Sequence, residues 1–312
     1  SGQTMSKGLD RLPSSPPSAQ GEEAWTVLRM MEWSGAYLED KGVVRGRLDA
    51  EHLLADVLGL GRLDLYLQFD RPLVAAELDR YRPLLRRRAK REPLQYILGR
   101  AAFRELDLEV DGRVLIPRPE TEILLDEALE WAGVHAGAEA RGLDLGTGSG
   151  AIALSLVLEG PFDSVVATDC SQAALDVARR NAEAAGLSEK LDFRLGSFFE
   201  PVRETEVFDL VVSNPPYVAE GDAPSLEPEV REWEPGDALF AGPDGLVALR
   251  AIVAGAGPRL RRGGLLALEV GLGQAGPVMA MLEDTGEYVD VRVRRDLTGR
   301  ERMVLSHRTM TN

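Results

Sequence analysis

The chain has 312 residues, a net charge of −15, 44% hydrophobic and 28% charged residues, which suits one large globular domain plus a small one. No apolar run approaches the roughly 18 residues that cross a bilayer, so a membrane partner is not expected. The lone cysteine, Cys170, excludes an internal disulfide framework and fits a reducing cytoplasm, and the acidity, which lies beyond residue 100, disfavours duplex nucleic acid as a partner.

Residues 1–20 are rich in Ser, Pro and Gly, lack the basic end and apolar centre of a secretory signal, and read as a disordered leader. From residue 21 to about 100 the pattern is helical. Trp25, Leu28, Met31 and Trp33 open it, and residues 50–58 place Leu53, Leu54, Val57 and Leu58 at helical spacing. A further helix is expected over residues 73–90, with Pro83 either kinking it or starting a new one. It closes on Arg86, Arg87, Arg88, Lys90 and Arg91. Cations favour the dipole at a helix end, so a solvated end is the ordinary reading, and a docking surface for a partner or RNA is the alternative.

Residues 103–110 and 113–116 flank Asp111-Gly112, a dipeptide that favours a two-residue turn, and predict a β-hairpin linker over residues 101–118. From 119 to 312 strands and helices alternate, which predicts an α/β domain with a parallel sheet covered by helices. Strands are expected at 142–145, 165–168, 191–195, 210–213 and 265–270, with helices at 121–131, 151–158, 173–185 and 247–260. Two last strands, 288–294 and 303–306, have no helix between them and read as an antiparallel hairpin.

Two segments carry chemistry. Gly146-Thr147-Gly148-Ser149-Gly150 follows an apolar strand and opens a helix, where glycines bring a ligand close to main-chain N–H groups. The run also satisfies a loose dinucleotide fingerprint, because Asp169, at the end of the next strand, serves any cofactor that presents a ribose diol. Asp144 tilts the choice towards S-adenosylmethionine, since a carboxylate there suits a cationic amino-acid end and repels a pyrophosphate.

The second segment, Asn214-Pro215-Pro216-Tyr217, ends another apolar strand. Its prolines cannot extend a central strand and leave a rigid turn at the carboxyl end of the sheet. The Asn214 side-chain oxygen and the Pro215 carbonyl can accept both hydrogens of a planar NH2 group, with Tyr217 offering a flat face. Two such acceptors favour pyramidal geometry at an amide nitrogen, whose lone pair is otherwise delocalised. No metal is expected: His52, His135 and His307 are too scattered to suggest a site.

With these motifs the chain resembles the HemK/PrmC family, the peptide chain release factor N5-glutamine methyltransferases. The likeness runs from about Trp25 to Leu305. It includes Pro93-Leu-Gln-Tyr-Ile97, Ile116-Pro-Arg-Pro-Glu-Thr-Glu122, Glu229-Val-Arg231 through Asp244-Gly-Leu246, and Leu268-Glu-Val-Gly271 with Gln274. The resemblance implies a small helical domain that grips the release factor, and a seven-stranded, Rossmann-like class I methyltransferase domain. It also implies that Gly146 to Gly150, Asp169 and Asn214 hold S-adenosylmethionine, that Phe198 lies against its adenine, and that Asn214 to Tyr217 hold the glutamine of a Gly-Gly-Gln loop. Ser197 departs from the family, which commonly has Asp there to contact the adenine amino group.

A nucleobase also presents a planar NH2, so an adenine-N6 or other nucleic-acid methyltransferase is the alternative. It would need a basic channel and, on duplex DNA, base flipping. A non-catalytic binding protein and a nicotinamide dehydrogenase are further readings, opposed by the intact Asn-Pro-Pro-Tyr segment and by Asp144.

Overall fold

The structure, a computed structural model, describes residues 24–311. The expected leader lies outside the described residues. Chain contacts divide the protein into two compact units between Gly99 and Arg100.

The first unit holds helices Val27–Asp40, Gly46–Leu58, Asp64–Leu67, Ala75–Ala89 and Leu94–Leu98. Thr26 caps the first by accepting the Arg29 N–H at 3.3 Å. Gly59 and Gly99 end two others in the left-handed conformation. Met30, Met31, Leu53, Leu54, Leu78 and Tyr81 fill the core. Pro83 does not start a new helix: it lies within Ala75–Ala89. Part of the basic cluster faces inward. Arg88 donates to Asp49 at 2.8 Å and to the Glu92 carbonyl at 3.1 Å, while Arg87 grips the Glu92 carboxylate at 2.8 and 2.6 Å. These two guanidiniums hold the helix end against its own unit.

The second unit begins with an antiparallel hairpin of β1 (Arg100–Phe103) and β2 (Leu106–Glu109). The hairpin was expected to turn at Asp111-Gly112; it turns at Arg104-Glu105 instead. Ala101, Phe103, Leu106 and Leu108 alternate inward and give the strands a buried face. Arg104 takes a positive φ of 50°, held by its N–H to Glu122 at 2.8 Å and its guanidinium to Asp126 at 2.7 Å and Glu159 at 2.8 Å. Asp111 spends its side chain locally, accepting the Arg113 N–H at 3.0 Å, and residues 113–116 form no strand.

Seven further strands form one sheet: β3 (Ala140–Leu145), β4 (Phe162–Asp169), β5 (Leu191–Leu195), β6 (Phe208–Ser213), β7 (Leu260–Glu269), β8 (Tyr288–Arg295) and β9 (Glu301–Arg308), in the order β5-β4-β3-β6-β7-β9-β8. β3 to β7 run parallel, and β8 and β9 are the expected antiparallel hairpin. Helix Pro119–His135 packs on β7, Ala151–Glu159 on β4, Gln172–Ala184 on β5, and Ala275–Thr285 on β8 and β9. This last helix and Pro228–Trp233 were not expected, because Gly276 and Pro277 in the first turn of one mask its period and the other is only six residues long. Among the described residues no helix is long and apolar enough to cross a membrane.

One row of the sheet positions everything that follows. Leu145 of β3 pairs with Thr168 of β4 on one side and Ser213 of β6 on the other, and Ser213 pairs with Leu268 of β7. The Ser213 hydroxyl donates to the Leu145 carbonyl at 2.6 Å and fixes the two central strand ends. The chain runs out along β4 and β5 from β3 and returns at β6 beside β3. The carboxyl edge between β3 and β6 is therefore the switch point where open α/β sheets bind ligands.

Candidate active site

The residues that follow that row are Gly146, Asp169, Asn214 and Glu269. A cleft opens over the first three, lined by Gly146, Thr147, Gly148 and Ser149 from the glycine loop, with Asp169, Phe198, Asn214 and Pro216 among its other walls.

The loop needs its glycines for different reasons. Gly146, Gly148 and Gly150 all have positive φ, at 72°, 54° and 86°. A Cβ at Gly146 or Gly148 would meet nothing within 4 Å; at Gly150 it would come within 2.8 Å of Leu154 Cδ1 and 3.3 Å of Ala178 Cβ. Gly150 thus serves packing of the helix it caps and does not line the cleft. Gly150→Ala is expected to lower unfolding free energy by about 1–3 kcal/mol, read from denaturant titration.

Asp169 closes the loop. Its Oδ2 accepts the Gly148 N–H and its Oδ1 the Ser171 N–H, both at 2.9 Å. Burial raises its carboxyl above the usual range, those two amides pull it back, and Asp237 across the cleft raises it further. Asp169, Asp237 and Arg113 all line the cleft, and the Arg113 guanidinium is engaged by Asp111 at 2.8 and 2.5 Å. The field at this mouth suits a cationic ligand better than a pyrophosphate.

Asp144 sits elsewhere than expected. It is fully buried beneath the loop, where its Oδ2 accepts the Thr147 hydroxyl at 2.7 Å and its Oδ1 has no hydrogen-bond partner. It does not line the cleft. Burial pushes its carboxyl up to about 7, against the Thr147 hydroxyl and the Ala153 amide.

Phe198 lines the cleft with a positive φ of 46°, and its carbonyl accepts the Thr168 hydroxyl at 2.9 Å. The Ser197 N–H is taken by Glu200 at 2.9 Å.

In the second segment Asn214 and Pro216 reach the cleft, whereas Pro215 is buried and Tyr217 is half-buried away from the wall. The Tyr217 ring lies against Gly271, where an added Cβ would be 3.0 Å from it, and its hydroxyl donates to Glu269 at 3.3 Å. Burial, then the neighbouring Glu269 charge, pushes the Tyr217 phenol well above its ordinary range. On the Gly271 and Glu269 side it backs the turn. Gln274 staples the same turn, donating to the Tyr217 carbonyl at 2.8 Å and accepting the Gly271 N–H at 2.8 Å.

Asn214 Nδ2 donates to Thr121 Oγ1 at 3.3 Å, and Thr121 Oγ1 donates to Glu269 Oε2 at 2.6 Å. Thr121 and Glu269 had no assigned role in the sequence reading. The available signal was a carboxylate closing the apolar run of residues 265–268, where a charge is costly unless it has partners.

The PrmC N-terminal domain family matches residues 29–99, and the methyltransferase small domain family matches residues 121–227. A release factor glutamine methyltransferase of Geobacter sulfurreducens is 46% identical over 282 residues, which is 90% of this chain and 96% of that protein. One from Chlorobaculum tepidum is 42% identical over 283 residues, 88% of this chain and 95% of that protein. The chain belongs to the release factor glutamine methyltransferase family. Among solved structures, the catalytic domain of hMettl16 in complex with a MAT2A 3′UTR hairpin superposes with a TM-score of 0.55 at 17% identity, covering 73% of this chain and 82% of that one. That likeness shows a shared class I methyltransferase fold. As a release factor glutamine methyltransferase, the chain is an enzyme that transfers a methyl group, and the paired ends of β3 and β6 bring its two motif loops to one cleft.

Proposed function

We propose that the enzyme transfers the methyl group of S-adenosylmethionine to the side-chain amide nitrogen (N5) of the glutamine in the Gly-Gly-Gln loop of a peptide chain release factor. The observation that carries this reading is the register. Leu145 and Ser213 are paired neighbours, so the glycine loop and Asn214-Pro215-Pro216-Tyr217 leave the sheet side by side.

The cleft fits the cofactor. Gly146 and Gly148 leave open space where side chains would stand, Asp169 faces it with a carboxylate suited to a ribose diol, and Phe198 supplies an apolar wall for adenine. Bound there, S-adenosylmethionine supplies a methyl group on a positively charged sulfur. The protein's part is alignment. Asn214 Oδ1 and the Pro215 carbonyl would each accept one hydrogen of the acceptor amide, turning its lone pair towards the methyl carbon. Transfer would replace one N–H hydrogen of the acceptor amide by the methyl group, and Asn214 Oδ1 and the Pro215 carbonyl would hold the departing proton on its way to solvent. Fixed alignment of two reactants supplies roughly 7–11 kcal/mol over free encounter. Pro216 shapes the wall, and Tyr217 holds the turn from behind.

The free thiol of Cys170 fits the cytoplasm as the proposed compartment. The test offers labelled S-adenosylmethionine with a bacterial release factor, its loop Gln→Ala variant, or DNA. Label on the wild-type factor alone is expected. Label on DNA would favour the exocyclic-amine reading, and label on both forms of the factor would move the acceptor away from the glutamine.

A further inference from the structure

We infer that Thr121 and Glu269 are positioning residues which fix the orientation of the Asn214 amide, so that its oxygen, not its nitrogen, faces the acceptor. The inference rests on the proposed acceptor role of Asn214.

Hydrogen-bond bookkeeping gives the direction. A threonine hydroxyl has one hydrogen to donate. Thr121 commits it to Glu269 Oε2 at 2.6 Å, a short contact of the kind made to a charged carboxylate. What remains on Thr121 Oγ1 is a lone pair, so its second partner must donate. Asn214 meets that requirement only through Nδ2, which lies 3.3 Å away. The same amide cannot then turn its NH2 to the cleft, and Oδ1 is left for the substrate. Both partners are buried, Thr121 at 3% and Glu269 at 1% exposure, so water does not compete for these bonds.

Backbone geometry holds the relay together. Glu269 follows Leu268, the register partner of Ser213, and Asn214 follows Ser213, so the two side chains leave adjacent strand ends. Thr121 comes from the first turn of helix Pro119–His135, which packs on β7. Tyr217 closes the circuit by donating to Glu269 Oε1, tying both ends of the Asn-Pro-Pro-Tyr turn to one carboxylate.

The relay has a polarity that depends on ionisation. An ionised Glu269 accepts from Thr121. A protonated one can itself donate, which frees the Thr121 hydrogen for Asn214 Oδ1 and turns the amide the wrong way. The groups facing Glu269 are Glu120, which raises its pKa along with burial, and Thr121, Tyr217 and Arg302, which lower it; the balance stands at about 7. The competent form is thus present above that value and lost as pH falls through it. A cationic cofactor in the cleft would move the limb lower.

The experiment measures kcat, release-factor KM and S-adenosylmethionine affinity for the full chain and its variants from pH 5.5 to 9, roughly the span around that pKa. Thr121→Val keeps the shape and removes the hydroxyl; kcat should fall by about 10–100-fold, the order expected of a misaligned reactant, with cofactor affinity retained. Thr121→Ser should restore most of the rate. Glu269→Gln cannot ionise and should lose the acid limb near neutrality. Unchanged kcat in Thr121→Val, no rescue by Ser, or a limb that persists in Glu269→Gln would each overturn the inference. Asn214→Ala is the parallel control: if it keeps full activity, the acceptor reading itself fails, whatever Thr121 does.

Discussion

Asn214→Ala is expected to lower kcat for methyl transfer by about 10²–10³-fold while S-adenosylmethionine binds with nearly unchanged affinity. The magnitude is that of removing one preorganised hydrogen-bonding group aimed at a reacting centre. The separation of the two effects follows from geometry. Asn214 shares the cleft with the glycine loop, but its own hydrogen bond runs to Thr121 and not to that loop. Asn214→Asp sharpens the test. A carboxylate retains an acceptor oxygen but cannot donate to Thr121, so it should not restore the rate. Cofactor affinity from calorimetry and single-turnover transfer rates decide the matter; equal loss of both in Asn214→Ala would assign the residue to cofactor binding instead.

Asp169→Ala should weaken S-adenosylmethionine affinity by about 10–100-fold, and more than Asp169→Asn does. Two losses combine. The proposed contact of the carboxylate with the ribose goes, and the Gly148 and Ser171 amides that it now holds at 2.9 Å lose their acceptor. A hydrogen bond to a charged group contributes about 1.5–3 kcal/mol, which sets the range. Asn keeps one acceptor oxygen and recovers one of the two amides, hence the expected ranking Asp, Asn, Ala. A variant Asp169→Ala that binds the cofactor normally would place the ribose elsewhere in the cleft.

Much of the α/β architecture is legible in the sequence because strand and helix periods differ. The central strands are buried on both faces and read as unbroken apolar runs, as at residues 210–212 and 265–268. The glycine loop and Asn-Pro-Pro-Tyr are equally legible, since positive φ and missing N–H groups leave few residue choices. What sequence spacing could not give is contact between distant segments. Thr121 and Glu269 are 148 positions apart and meet only because β7 lies beside β6 and the helix after Pro119 packs on β7. The same limit misplaced Asp144, whose position in the sequence suggests contact with a ligand but whose side chain points under the loop to Thr147. The hairpin error at Asp111-Gly112 has a local cause. An aspartate that caps its own neighbour, Arg113, satisfies the backbone without a strand partner, while Arg104 tolerates a positive φ because three carboxylates hold it.

The most direct measurement is tandem mass spectrometry of a bacterial release factor incubated with the enzyme and isotopically labelled S-adenosylmethionine. The account predicts one labelled methyl on the side chain of the Gly-Gly-Gln glutamine, and only a trace over the same time when the enzyme carries Asn214→Ala. A methyl found on any other residue, or on that glutamine with the Asn214→Ala enzyme at full yield, would contradict it.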